Sequence, residues 1–368
     1  MKNLKWLFVL CILLLAVGMS NPPIAAYAQG VPRDFAEGMR RIDAESHRYL
    51  VKVYVVMDPT KPLESMGTGS GELVRSADGV VRILTNAHVV GSAATVMVQF
   101  DKERFAQEVA VLGVDTLVDL ALLEAPRPLP ATARPIAIAK RPVAVGDVVY
   151  AAGYPGGNRS ISYGAVTSLS SGQGSRDLMF SHQAPIGPGS SGGALIRFTD
   201  TGAEELVGIN SQVYVLGGQL VSNIGLSIKS RVVERLMAKL EGEHSVTHAF
   251  IGVGLSDADK VNPYLFRATG GTYPPAMSGI VVTHVVNGSP AARAGILPGD
   301  VIRKFEVFAD GQWFEMPVRS AAELSETVFF DVAAGTQVRA TTSRGTQEIG
   351  REFVLETYPT QKPPTPQN

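Results

Sequence analysis

The sequence predicts a mainly β protein of two domains, and three observations carry that prediction. From Leu50 to Ile228, short apolar runs rich in valine and isoleucine alternate with Gly, Asp, Ser and Pro clusters. Many short strands separated by turn signals read as an all-β barrel or sandwich. Ser230 to Leu240 then carries Val232, Val233, Leu236, Met237 and Leu240 at helical spacing, with polar Glu241–Ser245 behind it. A helix and a polar junction therefore close the first domain. The remainder, Phe250 to Thr357, is long enough for a module of its own, and 368 residues accommodate two cores.

The elements follow in chain order. Lys2 and Lys5 precede an unbroken apolar run, Trp6 to Val17, and Ala26-Tyr27-Ala28 sets a small-residue cleavage site before Gln29. This pattern predicts an export signal over residues 1–28, and so an exported protein of the periplasm or cell envelope. The alternative is an uncleaved anchor, although the run is short for a spanning helix. Cys11, the only cysteine, lies inside it, so the mature chain needs no disulfide.

Residues 29–245 form the first domain with its N-terminal segment. Phe35 to Tyr49 predicts a helix, with Phe35, Met39, Ile42 and Tyr49 on one face. Strands are expected at Val51–Val56, Glu72–Val74, Ile83–Thr85, Val96–Phe100, Val109–Leu112 and Ala121–Leu123. Further strands are expected at Val148–Ala152, Ala165–Leu169, Met179–Ser181, Leu195–Arg197 and Leu206–Ile209. Asp78-Gly79 is a hairpin turn. The second domain, 246–357, has β-rich stretches at Gly279–Val286 and Gln337–Thr342 and helical patterns at Ser289–Ala294 and Ser320–Phe330. Residues 358–368 form a proline-rich tail that reads as disordered.

Composition narrows the function. Hydrophobic residues make up 45% and charged residues 18%, and the formal net charge is −1. A nucleic-acid binder usually carries a basic excess. His47, His244, His248 and His284 show no ligand-like spacing with each other or with cysteine, so no metal or other cofactor is expected.

Three segments carry chemistry. In Gly187-Pro188-Gly189-Ser190-Ser191-Gly192-Gly193, serines stand among glycines just before an apolar strand. Glycine lets another backbone or a substrate approach closely, and neighbouring N–H groups can converge on an oxyanion. In Leu84-Thr85-Asn86-Ala87-His88-Val89-Val90 a histidine sits where a strand ends. In Val118-Asp119-Leu120-Ala121-Leu122 an acid precedes a strand. The order His, Asp, Ser is that of chymotrypsin-type enzymes. A serine hydroxyl needs a base to take its proton, histidine titrates in the right range, and an acid fixes the imidazole tautomer.

On this reading Ser191 is the nucleophile, His88 the general base and then acid, and Asp119 the orienting acid. Ser190 and Asp115 compete for two of these roles. The glycines that follow favour Ser191, and the uninterrupted strand behind Asp119 favours that acid. The oxyanion hole uses the N–H groups of Gly189 and Ser191. His182 is read as structural or at a barrel edge.

Together these motifs resemble the HtrA/DegP family of exported serine proteases over nearly the whole mature chain. Gly67-Thr68-Gly69-Ser70-Gly71, Val145-Gly146-Asp147, Gly153-Tyr154-Pro155-Gly156 and Val207-Gly208-Ile209-Asn210 match further signatures of that family. The resemblance implies a chymotrypsin-like double β-barrel of two six-stranded units with the site between them. Gly288-Ser289-Pro290-Ala291-Ala292-Arg293-Ala294-Gly295-Ile296 and Leu297-Pro298-Gly299-Asp300 resemble a PDZ domain. By that resemblance Phe250, Ile251, Gly252 and Val253 form the loop that binds a peptide carboxylate.

The sequence also departs from the family pattern. Ser190 stands where Asn is usual, and His182-Gln183-Ala184 where Thr-Asp-Ala is usual. Gly225-Leu226-Ser227-Ile228-Lys229 replaces Gly-Phe-Ala-Ile-Pro. Ser256–Met277 and Phe308–Arg319 are longer than a minimal PDZ domain requires.

The primary specificity pocket is expected between Pro185 and the wall carrying Ile224 and Leu226. No acid lies at its base, so small or medium aliphatic side chains are expected, with loose selectivity. The implied function is an ATP-independent serine endoprotease acting on unfolded or damaged envelope proteins, with C-terminal peptides bound at the PDZ domain. A homo-oligomer, commonly a trimer built through the N-terminal part, is implied as well. A catalytically silent chaperone or scaffold, and a narrow regulatory protease, are the rival readings.

Overall fold

The computed structural model describes residues 34–359 apart from 171–176, 217–218, 263, 265–278 and 318. The expected signal segment and most of the proline-rich tail lie outside the described residues. Helix α1 (Phe35–Ser46) opens with Asp34, whose carboxylate accepts the Glu37 N–H at 2.7 Å. That cap satisfies one orphan donor of the first turn. The helix ends three residues before the expected Tyr49, because Tyr49 already turns toward the first strand and its hydroxyl donates to Glu204.

The first sheet holds β1 (Leu50–Val56), β2 (Met66–Arg75), β3 (Val81–Thr85), β4 (Thr95–Phe100), β5 (Gln107–Glu108), β6 (Val111–Asp115) and β7 (Leu120–Glu124). Their order is β5-β4-β1-β2-β3-β7-β6. The β2–β3 hairpin turns at Asp78-Gly79, where Gly79 has φ of +85°. The strand expected at Val109–Leu112 is shifted to Val111–Asp115. The short helix α2 (Ala87–Val90) follows β3.

The second sheet holds β8 (Ala137–Ile138), β9 (Val148–Gly153), β10 (Ser160–Ser168), β11 (Met179–His182), β12 (Ala194–Phe198), β13 (Glu204–Leu216) and β14 (Gln219–Lys229). The β12–β13 pairing closes six of these strands into a ring, with β8 added outside it. Its strands are buried on both faces: Val149, Ala151, Phe180 and Leu195 form a core of their own, while Tyr150, Ala152, Ala194 and Ile196 face the first sheet's core. Leu50, Leu73, Ile83, Leu84, Leu122 and Ile196 lie in one continuous core that spans both sheets.

Helix α3 (Ser230–Gly242) buries Val232, Val233, Leu236, Met237 and Leu240, the predicted face. Its end rests on β6 at Gly113, where an added Cβ would lie 2.2 Å from the Leu240 carbonyl oxygen. Only glycine permits that approach. The polar junction is not a loose tether. Val246 donates its N–H to Val114, and both Val246 and His248 are buried.

The remaining chain builds β15 (Ala249–Phe250), β16 (Val253–Asp257), β17 (Ile280–Val285), α4 (Pro290–Arg293), β18 (Val301–Ala309), β19 (Gln312–Glu315), α5 (Ala321–Asp331), β20 (Gln337–Arg344), β21 (Gln347–Val354) and β22 (Glu356–Thr357). A six-stranded sheet, β16-β17-β18-β20-β21 with β19 on β18, packs over α5, and β15 pairs with β22. Sequence patterning finds two of these strands and both helices. It misses β21, whose residues are mostly exposed and polar, and it reads the β18–β19 hairpin only as extra length.

Candidate active site

The site forms where the two sheets meet. His88 enters on α2, directly after β3, and Asp119 on the turn between β6 and β7. β3 and β7 are paired, which brings the two turns together. His88 Nδ1 lies 2.9 Å from both Asp119 carboxylate oxygens, and the His88 backbone N–H donates to Oδ1 at 3.0 Å. The Ser211 hydroxyl donates to Oδ2 at 2.6 Å, and the Asn86 amide donates to the Asp119 carbonyl at 2.8 Å.

Asp119 is held at φ of +66°, a left-handed value that costs a non-glycine residue about 1 kcal/mol or more. Four hydrogen-bonding groups, those of His88, Ser211 and Asn86, over-determine that backbone. The Asp119 hydrogen bond raises the His88 imidazole above its ordinary value, against an opposing effect of burial. With Nδ1 engaged by the carboxylate, Nε2 is the nitrogen left to exchange a proton.

The serine loop is fastened from the other side. Ser70 is its hub. Its N–H donates to the Ser191 carbonyl at 2.9 Å, and its hydroxyl donates to the Gly189 carbonyl at 2.7 Å. The same hydroxyl accepts the Tyr154 N–H at 2.8 Å, and the Ser70 carbonyl accepts the Thr85 hydroxyl at 2.7 Å. Gly189 has φ of +94°, and an added Cβ would lie 2.6 Å from the Tyr154 carbonyl oxygen. A glycine is required there on both counts.

Ser190 is buried, and its hydroxyl accepts the Gly187 N–H within the loop. Ser191 is the more exposed of the two, and its hydroxyl makes a long contact of 3.3 Å with the Ser211 carbonyl. The N–H groups of Gly189 and Ser191 meet no backbone acceptor among the described residues.

The competing acid is elsewhere. Asp115 is fully buried, its Oδ1 accepts the Leu117 and Val118 N–H groups, and its Oδ2 faces His248. His182 is interior rather than at an edge. Its Nε2 lies 3.0 Å from the Ser227 hydroxyl, which donates to Asn210, and burial pushes the ring down to about 4.

The three expected pocket residues differ in setting. Pro185 is exposed and accepts the Ser162 hydroxyl at its carbonyl, Ile224 is half-buried, and Leu226 is fully buried. In the second domain Phe250, Ile251, Gly252 and Val253 line a groove of about 260 Å³ with Ser325, Val328 and Phe329 of α5. Gly252 has φ of +85°.

Sequence reasoning missed Ser70 and Ser211. Ser70 lies in a segment it matched and Ser211 directly after another, but their partners are far along the chain, and no local signal distinguishes a bracing serine from a turn serine.

The fold and this constellation are those of a trypsin-like peptidase domain. A model of the trypsin-like peptidase domain matches residues 69–209. The chain is 29% identical over 303 residues to the periplasmic pH-dependent serine endoprotease DegQ of Escherichia coli, covering 81% of this chain and 61% of that one. It is 27% identical to the serine protease Do-like HtrA of Bacillus subtilis, covering 81% of this chain and 65% of that one. Against the periplasmic serine endoprotease DegP of Salmonella typhimurium it is 32% identical, covering 64% of this chain and 48% of that one. The chain therefore spans less than two thirds of the length of these curated relatives.

Among solved structures it is similar to the serine endoprotease from Yersinia pestis, with a TM-score of 0.59 and 25% identity, covering 87% of this chain and 98% of that one. The HtrA-type protease AlgW with a tripeptide shares the fold with a TM-score of 0.64, covering 88% of this chain and 98% of that one. The chain is thus similar to HtrA- and DegP-type serine proteases over most of its length.

Proposed function

We propose that the chain is an exported, ATP-independent serine endoprotease that cuts unfolded polypeptides. The observation that carries the reading is the His88–Asp119 pair, braced by Ser211, beside a glycine-held Ser191. Ser191 attacks the scissile carbonyl, His88 takes its proton through Nε2 and returns it to the leaving amine, and Asp119 stabilises the imidazolium. The Ser191 hydroxyl first turns from the Ser211 carbonyl toward His88. The N–H groups of Gly189 and Ser191 receive the oxyanion.

The preference is for small or medium apolar side chains, since the segment before the serine loop, Pro185–Gly187, carries no acid and Ile224 and Leu226 are aliphatic. The second domain, 246–357, acts as a PDZ domain. A peptide C-terminus lies along β16 and α5, with its carboxylate at Phe250–Val253, where the Ile251 and Gly252 N–H groups form an anion nest. The relatives named periplasmic and the N-terminal apolar run support a site of action in the periplasm or envelope.

Unfolded casein tests the proposal. Wild-type mature chain cleaves it, Ser191→Ala does not, and Ser190→Ala retains activity. Cleavage that survives Ser191→Ala and dies in Ser190→Ala reverses the assignment of the nucleophile. No cleavage by wild type, with or without a C-terminal peptide, leaves the scaffold reading.

A further inference from the structure

Asp115 and His248 are both fully buried, and the chemistry above uses neither. They lie 133 positions apart, and His248 Nε2 is 2.6 Å from Asp115 Oδ2. On its other side, His248 Nδ1 is 2.8 Å from the Phe329 carbonyl oxygen of α5. The ring thus faces an acceptor at each nitrogen, and both nitrogens are set to donate. The Phe329 side chain stacks on the imidazole at 3.6 Å, with only 3° between the planes. Two cations stand close by on α3: Lys239 donates to the Phe330 carbonyl, and Arg235 lies over the Phe330 ring.

The other oxygen of Asp115 shapes the turn. It accepts the Leu117 and Val118 N–H groups at 3.1 and 3.0 Å, and the next residue is Asp119 with its left-handed backbone. A carboxylate with one oxygen on this turn and one on His248 cannot rotate without losing bonds at both ends. Buried polar groups that lose a partner are costly, so the arrangement moves as a unit. Phe329 also lines the groove of the second domain.

We infer that His248 is a positioning residue: through Asp115 it fixes the turn that presents Asp119 to His88, and it takes its own position from α5 of the second domain. The inference rests on reading His88, Asp119 and Ser191 as the triad. Removing the His248 donors frees Asp115, loosens the turn and weakens the hold of Asp119 on the His88 ring.

The test follows the His88 ring by NMR against pH in full-length mature chain carrying Ser191→Ala, with and without His248→Phe. The phenylalanine keeps an aromatic ring against Phe329 and removes both donors. The His88 titration is expected to move toward acid by about half a pH unit or more, because a charge-stabilising partner is weakened.

In the active chain the same substitution lowers kcat about tenfold with KM unchanged, the signature of a lost transition-state interaction. The acidic limb of the pH profile moves in the same direction. A folded His248→Phe protein with wild-type His88 titration and wild-type kcat overturns the inference. If that variant does not fold, Asp115→Asn carries the test, since its amide still meets the turn N–H groups through one oxygen and cannot accept from His248. A wild-type chain that cleaves nothing defeats the protease reading, while the His88 titration still decides the coupling.

Discussion

At Asp119 a strained backbone and a crowded carboxylate coincide. Its φ of +66° is one of two non-glycine left-handed values among the described residues. The carboxylate meets His88 Nδ1, the His88 N–H and the Ser211 hydroxyl. The strain is the local cost of aiming that carboxylate at the ring. Because Asp119 raises the His88 imidazole, the base is protonated and idle below that raised value and active above it. Asp119→Asn removes the raising partner, so the acidic limb of kcat/KM moves to lower pH, and the plateau falls about 10⁴-fold through the wrong tautomer. A pH–rate profile of both proteins measures the two effects together. Ser211→Ala leaves one carboxylate oxygen without its donor. A hydrogen bond to a charged group is worth about 1.5 kcal/mol or more, so kcat/KM falls roughly tenfold in peptide assays.

At the scale of elements, β11, β14 and β13 hold the buried His182–Ser227–Asn210 chain, and Asn210 bonds the backbone of the serine loop at Gly192 and Gly193. Gly225 is required opposite His182, since an added Cβ would lie 2.5 Å from the ring. Burial holds His182 down to about 4, while the unfolded chain keeps the ordinary 6.5. Between those values the unfolded state binds the extra proton, so folding stability is full above pH 6.5 and is lost as pH falls toward about 4. The loss from this one residue is about 3 kcal/mol at most. Urea titrations at pH 7 and pH 5 are expected to show it in wild type, and His182→Gln to shrink the difference.

What could be read in advance divides along the same lines. His88, Asp119 and Ser191 announce themselves because each sits at a strand–turn junction with its own local pattern. Helix α3 was visible from five apolar residues on one face. Ser70, Ser211 and the Asp115–His248 pair were not legible, since each acts on a partner brought near only by tertiary packing. β21 escaped because an edge strand can be polar along most of its length.

At the scale of the whole molecule, one face of α3 joins the two domains. Arg231 contacts both carboxylate oxygens of Glu326 at 2.8 and 2.9 Å, Arg235 reaches Glu326 and Asp331, and Lys239 caps the Phe330 carbonyl. These three cations recur every four residues, so they share a helix face. Phe329 and Phe330 of α5 join the core of the first domain beneath them. An isolated exposed ion pair contributes little, but this network seals an apolar contact. Arg235→Glu sets a like charge against Glu326 and Asp331. Calorimetry is expected to resolve its unfolding into two transitions where wild type shows closer coupling.

The central claim is that His88 and Asp119 activate Ser191, and a fluorophosphonate that captures activated serines tests it most directly. Mass mapping of the labelled mature chain is expected to place a single adduct on Ser191, lost in His88→Ala and in Ser191→Ala. An adduct on Ser190, or casein cleavage by a chain that takes no label at Ser191, would contradict it.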